Sequence, residues 1–168
     1  GAFVTFFGID PGGSGAIAAI EAGGRIVSVE RFSKVEVEGG IALLVADFLD
    51  RFDGERSLVI EKVSSRPGEG VVSSFSFGRA YGEAIGAAVV SRCYIEKVTP
   101  QRWQRDFGLL RERGSTESKT DHKRAVKQAA EVRWSRKFLR EEADAIWIAE
   151  WSRLFGSRRT DGGCDAKA

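Results

Sequence analysis

With 168 residues in 18.4 kDa, 42% of them hydrophobic and 30% charged, the chain has the size of one globular domain, and a two-domain enzyme is not expected; it contains no unbroken apolar run near the roughly 20 residues of a bilayer span, so the expectation is neither a disordered chain nor a membrane protein. Two cysteines, Cys93 in an apolar run and Cys164 in a polar tail, suit neither a disulfide framework nor a zinc site, and the single histidine, His122, rules out two-histidine metal motifs; catalysis falls to carboxylates and lysines. The net charge of +2 hides an asymmetry, since residues 97–140 carry thirteen basic against five acidic side chains, a balance of +8, whereas residues 1–60 carry five against nine. Such a stripe is the footprint of a polyanion binder, or else the solvated surface of basic helices.

The opening, GAFVTFFGID, has no basic region before its apolar stretch, so it reads as no signal peptide and a cytoplasmic protein is expected. Phe3 to Asp10, Gly15 to Glu21 and Arg25 to Phe32 are β-favouring runs separated by the glycine-rich turns PGGSG and AGG, which predicts an antiparallel meander. Over Gly40 to Phe52, apolar residues at Ile41, Leu44, Val45, Phe48, Leu49 and Phe52 have the three-and-four spacing of a helix with one buried face. Ser57 to Ile60 is a short buried strand ending at Glu61. The loop KVSSRPGEG follows, then a long Gly- and Ala-rich helix over Val71 to Val90 and a fifth strand over Tyr94 to Val98. After Pro100 the chain turns helical and basic, broken around Gly108 and Gly114, and a last helix runs from about Glu141 to Leu154. Residues 1–156 are expected to form one domain and 157–168 a polar, frayed tail. Three antiparallel strands followed by helical crossovers predict an α/β fold, a five-stranded mixed sheet covered on both faces, in the element order of the ribonuclease H-like fold.

Four acids sit where acids are locally disfavoured. Asp10 ends an otherwise apolar strand, and Glu61 ends LVI in the same way. Glu141 and Asp144 lie three apart, on one face of a helix that AIWIAEW would dock on the sheet. In the expected fold the first and fourth strands are parallel neighbours, so their terminal acids lie side by side. Carboxylates gathered this way repel and raise one another's pKa, and a divalent cation is what neutralises them. An all-oxygen site favours Mg²⁺ or Mn²⁺, and two such ions per site would clamp an in-line phosphodiester displacement. Each acid taken singly also reads as a solvated strand end or a helix cap.

The segments GIDPGGSGAIA, LVIEKV with RPGEGV, SFGRAYGEAIGAA and EEADAIWIA, in this order over roughly residues 5–155, resemble the RuvC-type Holliday junction resolvases, with a loop most similar to the phage and viral branch. The resemblance implies a homodimer in a bacterial or phage-infected cell. It would bind branched DNA and nick two strands of a four-way junction symmetrically, with no nucleotide cofactor and no membrane. Asp10, Glu61 and Asp144 match the family's metal-binding acids; Glu141 stands where bacterial members commonly have Asp. Lys119 matches a lysine kept near the scissile phosphate, whereas Gln104 falls where a second is often found. Ser64 occupies the place from which an aromatic often enters the junction centre, so Arg66, the only cation of the following loop, is expected there, with Phe75 and Phe77 as competitors.

Arg102, Lys119, Lys123, Arg124 and Lys127 are expected to contact phosphates. Gly78, Gly82 and Gly86 form a smooth stripe on the long helix, fitted either to packing on its own sheet or to pairing with a second copy. Trp103, Trp134, Trp147 and Trp151 are expected in the core or an interface, with base stacking as the alternative. Two other functions share these features: an actin-like nucleotide-binding module, disfavoured by length, and a noncatalytic nucleic-acid-binding domain of the same fold, disfavoured because all four acids are present.

Overall fold

The computed structural model describes residues 3–35, 37–62, 64 and 68–157. Five strands form one sheet: β1 (Val4–Asp10), β2 (Ala16–Glu21), β3 (Ile26–Arg31), β4 (Glu55–Glu61) and β5 (Tyr94–Val98), in the order β3-β2-β1-β4-β5. The first three pair antiparallel, and β1, β4 and β5 run parallel. Helices α1 (Gly40–Asp50) and α2 (Val71–Val90) cross over between strands, and α3 (Pro100–Asp106), α4 (Lys119–Trp134) and α5 (Arg140–Phe155) follow β5. This is the mixed, doubly covered sheet expected from the element order.

The strands sort their side chains by parity onto two cores. Phe7, Ile9, Ile17, Ala19, Leu58 and Ile60 face α1 and α2, where Ile41, Val45, Phe48 and Leu49 of α1 meet Ala80, Ala84, Ala87 and Ala88 of α2. Phe7 lies edge-on to Phe52, with ring centroids 5.3 Å apart. Ala16, Ala18, Ile20 and Val59 face α3, α4 and above all α5, whose Ala143 and whole run Ala145 to Trp151 are buried. A central strand buried on both faces explains why β1 reads as an unbroken apolar run.

Several boundaries moved by a residue or two from their sequence expectations, and three of the shifts have a structural cause or consequence. β4 begins at Glu55, not Ser57, because its polar first residues pair with β1 in the register Val4↔Glu55 and Thr5↔Arg56, so main-chain bonding overrides their weak β preference. α1 stops at Asp50, although Phe52 still packs in the core. α5 starts at Arg140, where the Glu142 carboxylate accepts the Leu139 N–H at 2.8 Å and closes the first turn. Among the described residues, no helix is long and apolar enough to cross a membrane.

Candidate active site

The site forms where parallel strands end together. β1 and β4 pair as far as Ile9↔Ile60, so their next residues, Asp10 and Glu61, leave the same edge of the sheet side by side. α5 crosses beneath this edge in close contact with β1, because Gly8 has no side chain: a Cβ there would overlap the main-chain N of Ala149 and O of Ala145. That contact sets Glu141 and Asp144, in the first turns of α5, against the strand ends. The turn after Asp10 is held by a Gly15 N–H to Gly12 O bond of 3.1 Å, with Gly12 at φ 111° under the Phe77 ring. Asp10, this turn, Phe77, Lys123, Arg140, Glu141 and Asp144 line an open cleft of about 440 Å³.

Glu61 is approached from the side. Thr99 caps α3 with its hydroxyl on the Arg102 N–H, and Pro100 occupies the first turn. One turn later Trp103, 1% exposed, points its indole back to the neighbouring strand, and Nε1 donates to Glu61 Oε2 at 2.8 Å.

Burial and mutual repulsion leave these carboxylates reluctant to ionise. Burial, then the charges of Asp144 and Glu61, hold Asp10 well above the ordinary aspartate value, with Lys123 partly opposing. Burial is also the main cause for Glu61, pushed up from 4.5 to about 7; the indole hydrogen bond pulls the other way, and Asp144 adds to the rise. Asp144 rises to about 6 through burial, against the pull of Lys123, Arg140 and His122. The donor set therefore has the chemistry of an oxygen ligand set for a divalent cation: half-buried carboxylates whose charge the nearby cations offset only in part. Among the described residues, no three acidic, thiol or imidazole groups stand close enough together to hold one ion as they are placed.

The expected cations divide. Lys123 lines the cleft; Lys119, one turn earlier at the start of α4, is exposed and does not line it. Arg102 pairs with Asp106 at 2.9 Å, Arg124 with Asp121 at 3.1 Å, and Lys127 with Glu131 at 3.8 Å, all neighbours on their own helices. Surface pairs of this kind contribute little and exchange readily, so these side chains keep access to a phosphate at small cost. Ser64 is exposed, and Arg66 lies outside the described residues. Sequence reasoning missed Arg140, whose position directly before Glu141 was its only signal. It also missed His122, whose Nε2 shares a 3.1 Å hydrogen bond with Gln104 Oε1 and whose ring faces Glu117 at 3.4 Å.

Base stacking by tryptophan is overturned for Trp103, Trp147 and Trp151, which are 1%, 4% and 4% exposed. Their N–H groups, and that of Trp134, all donate within the protein, the last three to Val126 O, Asp106 Oδ2 and Gly24 O respectively. Packing of the glycine stripe on its own sheet is also excluded: a Cβ at Gly78, Gly82 or Gly86 would meet nothing within 4 Å, because the alanines of α2 face the sheet and the glycines face outward. Of the two phenylalanines near the loop, Phe75 is 75% exposed and Phe77 joins the cleft wall.

A RuvC of Thermus thermophilus superimposes with a TM-score of 0.62 over 89% of this chain and 96% of its own, at 21% identity. The same organism's RuvC solved in complex with a Holliday junction substrate gives 0.64 over 91% and 97%, at 19% identity. The chain has the RuvC fold. A yeast mitochondrial Holliday junction resolvase, Ydc2, overlaps at only 0.48 with 13% identity. Both of these RuvC structures are bacterial, and their likeness does not single out the phage and viral branch. No family model matches the chain, and no curated protein matches it in sequence.

Proposed function

We propose that the protein is a structure-selective DNA endonuclease that resolves four-way junctions by divalent-metal-dependent phosphodiester hydrolysis, working as a homodimer that makes paired, symmetric nicks. The observation that carries this reading is the convergence of Asp10, Glu61, Glu141 and Asp144 at one sheet edge, with raised proton affinities for three of them and Lys123 and Arg140 at the rim. It is supported by the RuvC fold, seen elsewhere with a junction substrate. The four acids would hold Mg²⁺ or Mn²⁺, two per site, which when bound supplies the Lewis acidity that generates hydroxide and stabilises a leaving oxyanion. Lys123 and Arg140 position the scissile phosphate by charge, and the rest of the basic segment contributes affinity. Lys119, on the same face of α4 as Lys123, extends this track along the bound strand.

The pairing surface is the outward face of α2. Gly78, Gly82 and Gly86 lie open there and Val71, Val72, Val89 and Val90 are exposed, an apolar strip that a second copy would cover. Phe75, exposed in the first turns of the same helix, is the aromatic available to an unstacked base at the branch point, and Arg66 in the preceding loop is its rival for that role.

The test is a synthetic four-way junction and a linear duplex of equal length, each incubated with Mg²⁺ or with EDTA. Junction cleavage in Mg²⁺ alone is expected, abolished in Asp10→Asn, Glu61→Gln and Asp144→Asn while junction binding persists. Binding without cleavage by the wild type would leave a noncatalytic module of this fold; near wild-type turnover in any of the three variants would remove that acid from the site.

A further inference from the structure

Of the four indoles, Trp103 alone spends its N–H on a carboxylate at the reactive edge of the sheet. Its ring is fixed on all sides, being 1% exposed in the core formed by Val59, Val98 and α5, and its helix is anchored by the Thr99 cap and Pro100. Glu61, by contrast, has three rotatable side-chain bonds, and immobilising such a side chain costs rotamer freedom. A rigid donor at 2.8 Å from Oε2 meets that cost before any ligand arrives. It also occupies one lone pair of Oε2, which leaves Oε1, among the described residues, as the oxygen with both lone pairs open.

We propose that Trp103 is a positioning residue for the metal site, holding Glu61 through Oε2 so that it offers Oε1 to a divalent cation in a fixed rotamer. This rests on the reading above that Glu61 is a metal ligand. Groups that orient a metal's ligands from behind change affinity by about 10- to 100-fold when removed. Trp103→Phe, which keeps a buried ring and deletes the donor, should therefore weaken Mn²⁺ binding to the DNA-free protein by at least about tenfold and slow single-turnover junction cleavage by a similar factor, with junction affinity unchanged.

The deciding measurement is a double-mutant cycle on Mn²⁺ affinity, by calorimetry without DNA, over wild type, Trp103→Phe, Glu61→Gln and the double variant. Acting through Glu61, the Trp103 change should have no further effect once Glu61 is Gln. A second readout is the indole N–H resonance of Trp103, identified by its loss in Trp103→Phe, which should shift on Mg²⁺ addition in the wild type but not in Glu61→Gln. If the Phe variant folds poorly, 3-benzothienylalanine at position 103 removes the donor while keeping the ring shape and should reproduce the affinity loss. Wild-type Mn²⁺ affinity in Trp103→Phe alongside weakened binding in Glu61→Gln would overturn the positioning role alone, as would two losses that simply add. Wild-type affinity in Glu61→Gln itself would remove Glu61 from the metal site and the proposal with it.

Discussion

In the absence of metal, Glu61→Gln should make the protein more stable at pH 8 and not at pH 4. Glu61 is displaced from 4.5 to about 7, chiefly by burial. Between those values the folded protein retains a proton that the unfolded chain has released, so folding takes up a proton and stability falls as pH rises through this window; above pH 7 the loss is complete, and below 4.5 it vanishes. A displacement of about 2.5 units at 1.36 kcal/mol each sets a ceiling of about 3 kcal/mol at pH 8. Because Asp144 is part of the repulsion, some of this is shared, and about 2 kcal/mol is the expected gain for the neutral amide. For a chain of this length that corresponds to a rise of about 4 to 8 °C in melting temperature. Melts in EDTA at pH 4 and pH 8 would measure it, and saturating Mg²⁺ should reverse the order at pH 8 by stabilising the wild type more. A Glu61→Gln protein no more stable than wild type at pH 8 in EDTA would mean that the carboxylate bears no uncompensated charge, and the electrostatic case for a metal site at this edge would fail.

Junction affinity should fall steeply with salt, and Lys123→Gln should lower the slope of log K against log salt by about 0.9, whereas Arg102→Gln, which also frees Asp106, should lower it less; filter binding at several salt concentrations measures both, and a flat dependence would refute the phosphate track. Two glycine substitutions should part company. Gly8→Ala pushes a methyl into the main chain of α5 and should cost about 3 kcal/mol in urea unfolding, with loss of cleavage, while at Gly82 a Cβ meets no atom within 4 Å, so Gly82→Leu should not destabilise the fold and should shift sedimentation towards the monomer.

Much of this was legible because the deciding features were local. The bounds of α2 and β5 follow directly from their composition, and the acids at positions 10, 61, 141 and 144 stood out as charges at the ends of apolar runs. What escaped was set by neighbours distant in sequence. Glu55 and Arg56 become a strand only because β1 offers a main-chain partner. Lys119 and Lys123 look alike in a basic segment, and the cleft distinguishes them only once α4 is placed against α5. Trp103 reads from sequence as a core or stacking residue. Its bond to Glu61 spans 42 positions and depends on β5 lying next to β4.

The internal satisfaction of the indoles has a practical side. With three rings shielded from solvent and all four N–H groups donating inside the fold, the intrinsic ultraviolet emission is a property of the packed interior. Nucleic acid bound at the surface has little indole to quench, so that emission tracks unfolding even while DNA is bound. Under the function proposed above, the same shielding would leave contact with bases and phosphates to guanidinium, ammonium and phenyl groups, the chemistry that Arg140, Lys123 and Phe75 carry on the outside of the molecule.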